Sequence, residues 1–328
     1  MKKDFYWAIL KRVASSILVL LLLITFIFLL IRLAPGNPTQ KYLSPQLSPQ
    51  LAESVTRSFG LDKPIYVQYS SFVLNLFSGD FGISYNYRQP VFTVIKDYFL
   101  FTLIFSSISF IIQLLLGYLL AKYSFRKHGK SIDRYLSKLS IILFSVPTFV
   151  IGLILVYIFS VKLDVLPTSG IKSIYHDDLN SIEKLTDFFI HLVLPMITLS
   201  LAGIAVFYKY LRDNFDSVKS SSYILNLRAN GFTEKEIFKK HLLPNSIQPL
   251  ISIAGIEFGI LLGGALLTEV IFSLPGMGRL TVTAILNRDF PLVIACTFIA
   301  GLMMVLSNLA ADLIKIKMDK RYLKELIN

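Results

Sequence analysis

Three carboxylates lie in or beside long apolar stretches: Glu257, Glu269 and Asp312. An ionisable group inside a bilayer is costly, so each needs water, a partner or a task. Asp312 stands at the end of its stretch, within reach of water or a lysine, and reads as structural. Glu269 comes shortly before Gly276-Met277-Gly278-Arg279. It either braces that loop through hydrogen bonds or forms an outer gate with Gly276, Gly278 and Arg279. Around Glu257, the glycines Gly255, Gly259 and Gly263 recur every fourth residue, a seam of small residues that lets helices approach closely. On a helix Glu257 lies about 200° from Gly255, so it points away from that seam. It makes either a structural hydrogen bond or part of the lining of a translocation path.

Groups for catalysis are missing from the sequence. His191 is the only histidine in an apolar stretch, and neither G-x-S-x-G nor H-E-x-x-H occurs. An intramembrane enzyme would need a nucleophile–base pair, a carboxylate pair or a metal triad at one depth. His176-Asp177-Asp178 reads as a solvated loop and not as a metal site. The lone Cys296 excludes a disulfide framework and a cysteine-based zinc cluster. No G-x-x-x-x-G-K-[ST] is present to cradle ATP phosphates. The expectation is a chain with no catalytic residue, metal or cofactor of its own.

The elements that position these residues are membrane spans. Of the 328 residues 54% are hydrophobic and 16% charged, against about 25% charged in soluble domains. Six stretches reach the roughly 20 apolar residues of a span: Val13–Ile31, Tyr98–Ala121, Leu139–Val161, Phe188–Tyr208, Pro249–Phe272 and Pro291–Ala311. Their unbroken apolarity excludes β-strands. The first is too long for the core of a signal peptide and reads as a retained span. Pro147 and Pro195 favour bends within spans. Gln113 and Asn308 read as hydrogen-bonding glue between helices.

The net charge of +12 suits the inner surface of a membrane better than nucleic acid, because no basic domain stands clear of the spans. Segments 1–12, 122–138, 209–248 and 312–328 carry 22 of the 33 Lys and Arg residues. Both termini are therefore expected in the cytoplasm. The domain reading is a terminus and first span (1–31), an external subdomain rich in Pro and Gly (32–97), a core of spans (98–311) and a cytoplasmic tail (312–328).

Within the core, segment 209–248 carries consistent local signals. A short helix through Tyr223, Leu227, Arg228 and Ala229 is stopped by Asn230-Gly231, since glycine accepts the left-handed conformation that ends helices. Thr233-Glu234-Lys235-Glu236 reads as a capping box opening a second helix. Ile237, Phe238 and Leu242 give that helix its apolar face, and Pro244 is expected to end it.

Arg228-Ala229-Asn230-Gly231, followed by His241-Leu242-Leu243-Pro244-Asn245, resembles the cytoplasmic signature loop of ABC-importer permeases. The family's lysine before the glycine is Asn230 here. Arg32-Leu33-Ala34-Pro35-Gly36-Asn37-Pro38, Gly60-Leu61-Asp62-Lys63-Pro64, Gly79-Asp80-Phe81-Gly82, Ser145-Val146-Pro147-Thr148-Phe149, Leu166-Pro167-Thr168-Ser169-Gly170 and Phe272–Leu280 with Arg288-Asp289-Phe290-Pro291 are similar to one branch. This is the peptide and nickel permeases, and within it the B-type subunit. One departure is Asp319-Lys320-Arg321 in place of Asp-Pro-Arg.

The resemblance implies an all-α, type I importer permease with six spans in a bacterial inner membrane. It further implies a homologous second permease, two ATPase subunits that bind ATP and Mg, and an extracytoplasmic substrate-binding protein. The helix before Gly231 would dock on an ATPase subunit. Cargo would be di- or oligopeptides, with nickel or a metal chelate as the alternative. A passive channel would have no use for such a docking loop.

Overall fold

The computed structural model describes residues 2–33 and 63–319. The expected segment 34–62, with most of the Arg32–Pro38 and Gly60–Pro64 motifs, and residues 320–328 of the tail lie outside the described residues. All the described secondary structure is helical apart from one isolated bridge, Ile83 to Pro90. Helices α1 (Lys2–Leu33), α3 (Val91–Arg126), α6 (Ser181–Lys219) and α11 (Phe290–Met318) cover four of the expected spans and overrun them. Among the described residues, five helical stretches are long and apolar enough to cross a membrane, and six when one bent pair counts as a single span.

That bent pair occupies the stretch Leu139–Val161, expected as one span, and breaks it near its middle. Helix α4 (Ser131–Ser145) and helix α5 (Thr148–Val156), which continues as a π-helical stretch through Lys162, meet at 98°. Proline pushes the residue before it out of the helical region, and Val146 is extended at φ −86°, ψ 125°. Pro195, by contrast, sits inside α6 without breaking it. The fifth span is also interrupted. Helix α8 (Leu243–Leu262) stops at Gly263, Gly264 takes φ +109°, and a short helix α9 (Leu266–Ile271) follows.

Polar contacts show which helix ends lie together. Arg12 of α1 pairs with Asp312 of α11 at 2.7 Å. Asp319 accepts from Gln248 of α8 at 3.3 Å. Asn214 of α6 donates to the Ser246 carbonyl at 3.1 Å. The start of α1, the ends of α6 and α11, and segment 209–248 therefore share one end of the bundle, here called the loop end. Asp312, expected to reach water or a lysine, has taken an arginine.

Helix α3 packs along α6, and α8 along α11. The glycine seam faces α11: a Cβ on Gly255 would lie 2.6 Å from that of Ala311, and one on Gly259 would lie 2.9 Å from Met304 Cα. Gly263 meets Ala300 at ordinary contact distance. Outward faces stay apolar: Leu22, Phe26, Ile104, Ile111 and Leu115 are all exposed. Such surface requires a lipid solvent.

The described part of the expected external subdomain does not stand apart. Helix α2 (Ile65–Phe77) lies against α1 and α11, with Thr25 and Tyr69 hydroxyls 2.6 Å apart and Leu76 packed with Ile24 and Phe298. Phe81 and Tyr87 close over the start of α3 and α11.

Because the α8–α11 seam leaves no room for a methyl group, Gly255→Val is expected to lower stability by about 1–3 kcal/mol, the usual cost of overpacking. Thermal unfolding of the purified protein in detergent measures this. An unchanged midpoint would mean that the seam is not formed.

Candidate functional site

At the loop end, the short helix α7 (Ser222–Ala229) follows α6. Its stop is a Schellman motif: Phe232 N–H bonds Leu227 O at 3.1 Å, Gly231 N–H bonds Arg228 O at 3.0 Å, and Gly231 has φ +82°. Any Cβ there is strained, and a proline cannot adopt that φ at all. Ile224 is wholly buried and anchors the helix, while Tyr223, Leu225, Asn226 and Ala229 are exposed. Ser221 takes the N-cap position, yet its hydroxyl turns back to Val218 O and leaves the helix uncapped by a side chain.

Three contacts tie α7 to the next helix. The Arg228 guanidinium meets Glu234 at 2.6 and 3.3 Å, and that hydrogen-bonded carboxylate raises the arginine's pKa further. An exposed pair of this kind adds little stability, so its use is positional. Asn245 donates to the Tyr223 hydroxyl at 3.2 Å. Phe232 and His241 meet edge to face. The capping box is complete: Glu236 N–H reaches Thr233 Oγ1 at 3.3 Å and Thr233 N–H reaches Glu236 Oε2 at 3.1 Å.

Pro244 does not end the second helix, contrary to the sequence expectation. The chain passes from Glu234–Glu236 through a π-helical stretch, Ile237–Leu242, straight into α8. The wider turn, in which Leu243 N–H bonds Phe238 O, relieves the clash a proline ring makes with the preceding turn. The loop therefore runs directly into a membrane helix.

Beneath it lies a buried polar corner that sequence reasoning missed. Arg212 of α6 donates from Nε and Nη2 to the two Asp133 oxygens of α4, each at 3.0 Å. Arg212 Nη1 lies 2.6 Å from Asp216, and Asp133 also accepts from Ser124 of α3 and from Gly129 N–H. No local pattern announces these partners, which are 79 residues apart.

At the opposite end, Glu269 is fully buried. It accepts from Arg279 N–H at 3.0 Å and from the Thr102 hydroxyl at 3.2 Å. Thr102 Oγ1 accepts from Met277 N–H at 2.8 Å. These bonds satisfy the open amides at the start of helix α10 (Met277–Leu286). Side chains are excluded from the approach: a Cβ on Gly276 would fall 2.3 Å from Glu269 Cδ, and one on Gly278 would fall 2.5 Å from Leu266 Cα. Arg279 Nη1 donates to Ser273 O at 2.5 Å. Glu269 thus spends its carboxylate on bonds within the chain beside Gly276, Gly278 and Arg279, which is the bracing geometry, one of the two readings the sequence offered.

Asp289, also missed, accepts from Ser84 Oγ at 2.5 Å and from Asn86 N–H at 3.0 Å, and it caps α11. An aspartate just before Phe290-Pro291 was a readable cap signal. His176, expected in a solvated loop, instead sits 2.6 Å from Asp187, which also holds Ser173 N–H. Among the described residues no cluster suits a metal ion. Glu257 is partly buried off the seam, with no hydrogen bond or ion pair to another described residue. Gln113 donates to Leu199 O across α3 and α6 at 3.1 Å.

Residues 113–324 match the family described as binding-protein-dependent transport system inner membrane component, and residues 5–106 match its N-terminal companion. The chain belongs to that family. It is a permease subunit of an ABC importer, a class in which the membrane subunit is not catalytic. The permease is 34% identical to a probable peptide ABC transporter permease of Sinorhizobium fredii, over 95% of this chain and 98% of the relative. It is 33% identical to a dipeptide transport system permease of Lactococcus lactis over the same shares. A glutathione transport system permease of Salmonella typhimurium is 33% identical over 93% of this chain and 95% of the relative. Among solved structures, a chain of the inward-facing MetNI methionine ABC transporter shares the fold with a TM-score of 0.52 at 15% identity, covering 70% of the permease and 97% of that chain.

Glu269→Ala would strand buried amides at the start of α10 and is expected to cost about 1–3 kcal/mol. Glu257→Ala, which breaks no bond within the described chain, should cost clearly less. Thermal unfolding of the two variants side by side checks the ranking, and the reverse order would refute the brace.

Proposed function

We propose that the permease forms half of a translocation path for di- or oligopeptides across a bacterial inner membrane. Six spans, with α4 and α5 forming one bent span, would place both termini and segment 209–248 in the cytoplasm. The basic excess of the loop-end segments supports that orientation, as does the pairing of Arg12 with Asp312. Its assembly is a second, homologous permease, two ATPase subunits holding ATP and Mg, and an extracytoplasmic binding protein. Segment 32–97 then faces outward, 98–311 is the transport core, and 312–328 is the inner tail.

The observation that carries this reading is α7, a short helix anchored by a buried Ile224, ended by a glycine stop and exposing Tyr223, Leu225 and Ala229. Tyr223, Leu227, Arg228, Ala229, Asn230 and Gly231 would form the ATPase contact, with Glu236 and Pro244 setting the geometry of the following helix. When ATP closes the ATPase pair, α7 moves with it. Its motion enters α8 through Arg228–Glu234 and Tyr223–Asn245, and α11 follows through the glycine seam. The spans then rock as rigid bodies between outward-open and inward-open states. Glu257, off the seam, is proposed to line the path.

Cargo follows from the relatives, whose names specify peptide, dipeptide, oligopeptide or glutathione transport. None of those names points to nickel, so the metal alternative is not favoured. Reconstituting the permease with its partner subunits in liposomes tests the reading through ATP-dependent uptake of a labelled peptide. Gly231→Pro should abolish coupled uptake while the spans still insert. Uptake that survives in the variant, or that proceeds without ATP, would overturn it.

A further inference from the structure

Between the loop end of α3 and the helical run that opens at Glu234 lies a cavity of about 640 Å³, within the roughly 300–1,000 Å³ range of ligand sites. Its walls gather Lys122, Arg126, Lys219, Arg228, Lys235 and Lys239 around a single carboxylate, Glu234. Glu234 is already taken by Arg228 at 2.6 Å. The other five cations form no ion pair with a described residue. Like charges packed this closely repel and create a strongly positive local field, which an anion would neutralise.

The cavity is more than a charged surface. Tyr118, Phe125, Ile237, Phe238 and Leu242 give it an apolar floor. The Lys122 ammonium lies 5.4 Å from the centre of the Tyr118 ring, and that of Lys219 lies 5.4 Å from Phe125. Cation–π attraction at that distance holds both ammonium groups against the rings. Towards the middle of α3, Leu115, Leu116 and Leu119 are exposed and apolar. The cavity thus stands where lipid-facing surface gives way to basic residues, at the inner surface in the proposed orientation. A ligand matched to both halves carries a phosphate and an acyl tail, which free phosphate lacks.

We propose that this cavity binds the headgroup of an anionic phospholipid of the cytoplasmic leaflet. Part of its floor, Ile237, Phe238 and Leu242, and one wall come from the segment that links α7 to α8. Bound lipid would therefore stiffen the element that passes ATPase motion to the spans, and coupling would depend on membrane charge.

Native mass spectrometry of the assembled importer, purified from vesicles of mixed phosphatidylglycerol and phosphatidylcholine, tests this. The wild type should retain phosphatidylglycerol in preference to phosphatidylcholine. Lys122→Gln with Lys219→Gln should lower that retention severalfold, while Lys122→Arg with Lys219→Arg keeps it. Equal retention of the two lipids by the wild type overturns the proposal without any variant needing to assemble. Displacement of the lipid by inorganic phosphate, at an ionic strength where chloride leaves it bound, would assign the site to a soluble anion instead. Loss of the ATPase subunits from the Gln variant with lipid retention unchanged would assign the cations to an acidic protein surface.

Discussion

The Arg212 guanidinium is buried among α3, α4 and α6, and two 3.0 Å hydrogen bonds to Asp133 hold it there. A buried charge is tolerable only when paired, and removing one partner from such a pair costs about 3–5 kcal/mol. The end of α3, the start of α4 and the last turns of α6 are therefore fixed relative to one another. Two elements of the loop end, α4 and the last turns of α6 before α7, start from that corner. Helix α4 leaves it toward the break at Pro147, and α6 leaves it toward α7. In the proposed coupling, a movement of α7 would meet a fixed corner on one side and the helix α8 on the other.

The opposite end follows the same rule with different chemistry. A bilayer offers no water to an interrupted backbone, so interruptions need side-chain partners inside the protein. Just before the break at Gly263 the Ser106 hydroxyl donates to Leu261 O, and the loop before α10 is satisfied by Glu269, Thr102 and Arg279. Gly276 is required because the Glu269 carboxylate passes where a Cβ would be, and Gly278 because the Leu266 backbone does. The polar residues of this region hold a shape, whereas Glu257 makes no bond to a described residue and keeps the place on the path proposed for it.

Legibility in the sequence tracked the range of the interaction. The Thr233–Glu236 box, the Gly231 stop and the four-residue glycine seam depend on neighbours within a few positions, and the structure has each of them. The long apolar runs located the bundle for the same reason. What escaped was non-local or turned on backbone register. Thr102 meets Glu269 across 167 residues, and Ser84 meets Asp289 across 205. Pro147 breaks a span where Pro195 does not, and Pro244 is absorbed by a π-helical turn. A proline's effect depends on whether the surrounding turn can widen or its neighbour can extend, which hydropathy does not report.

The central claim is that α7 carries force from an ATPase subunit, and a photocrosslink tests it most directly. Benzoylphenylalanine at Leu225, which is 58% exposed on α7, would be irradiated in the assembled importer; Leu286, 79% exposed at the opposite end, serves as the control. The account predicts an adduct with the ATPase subunit from position 225 and none from position 286. A transport-competent importer that gives no ATPase adduct at 225, or gives one at 286, would contradict it.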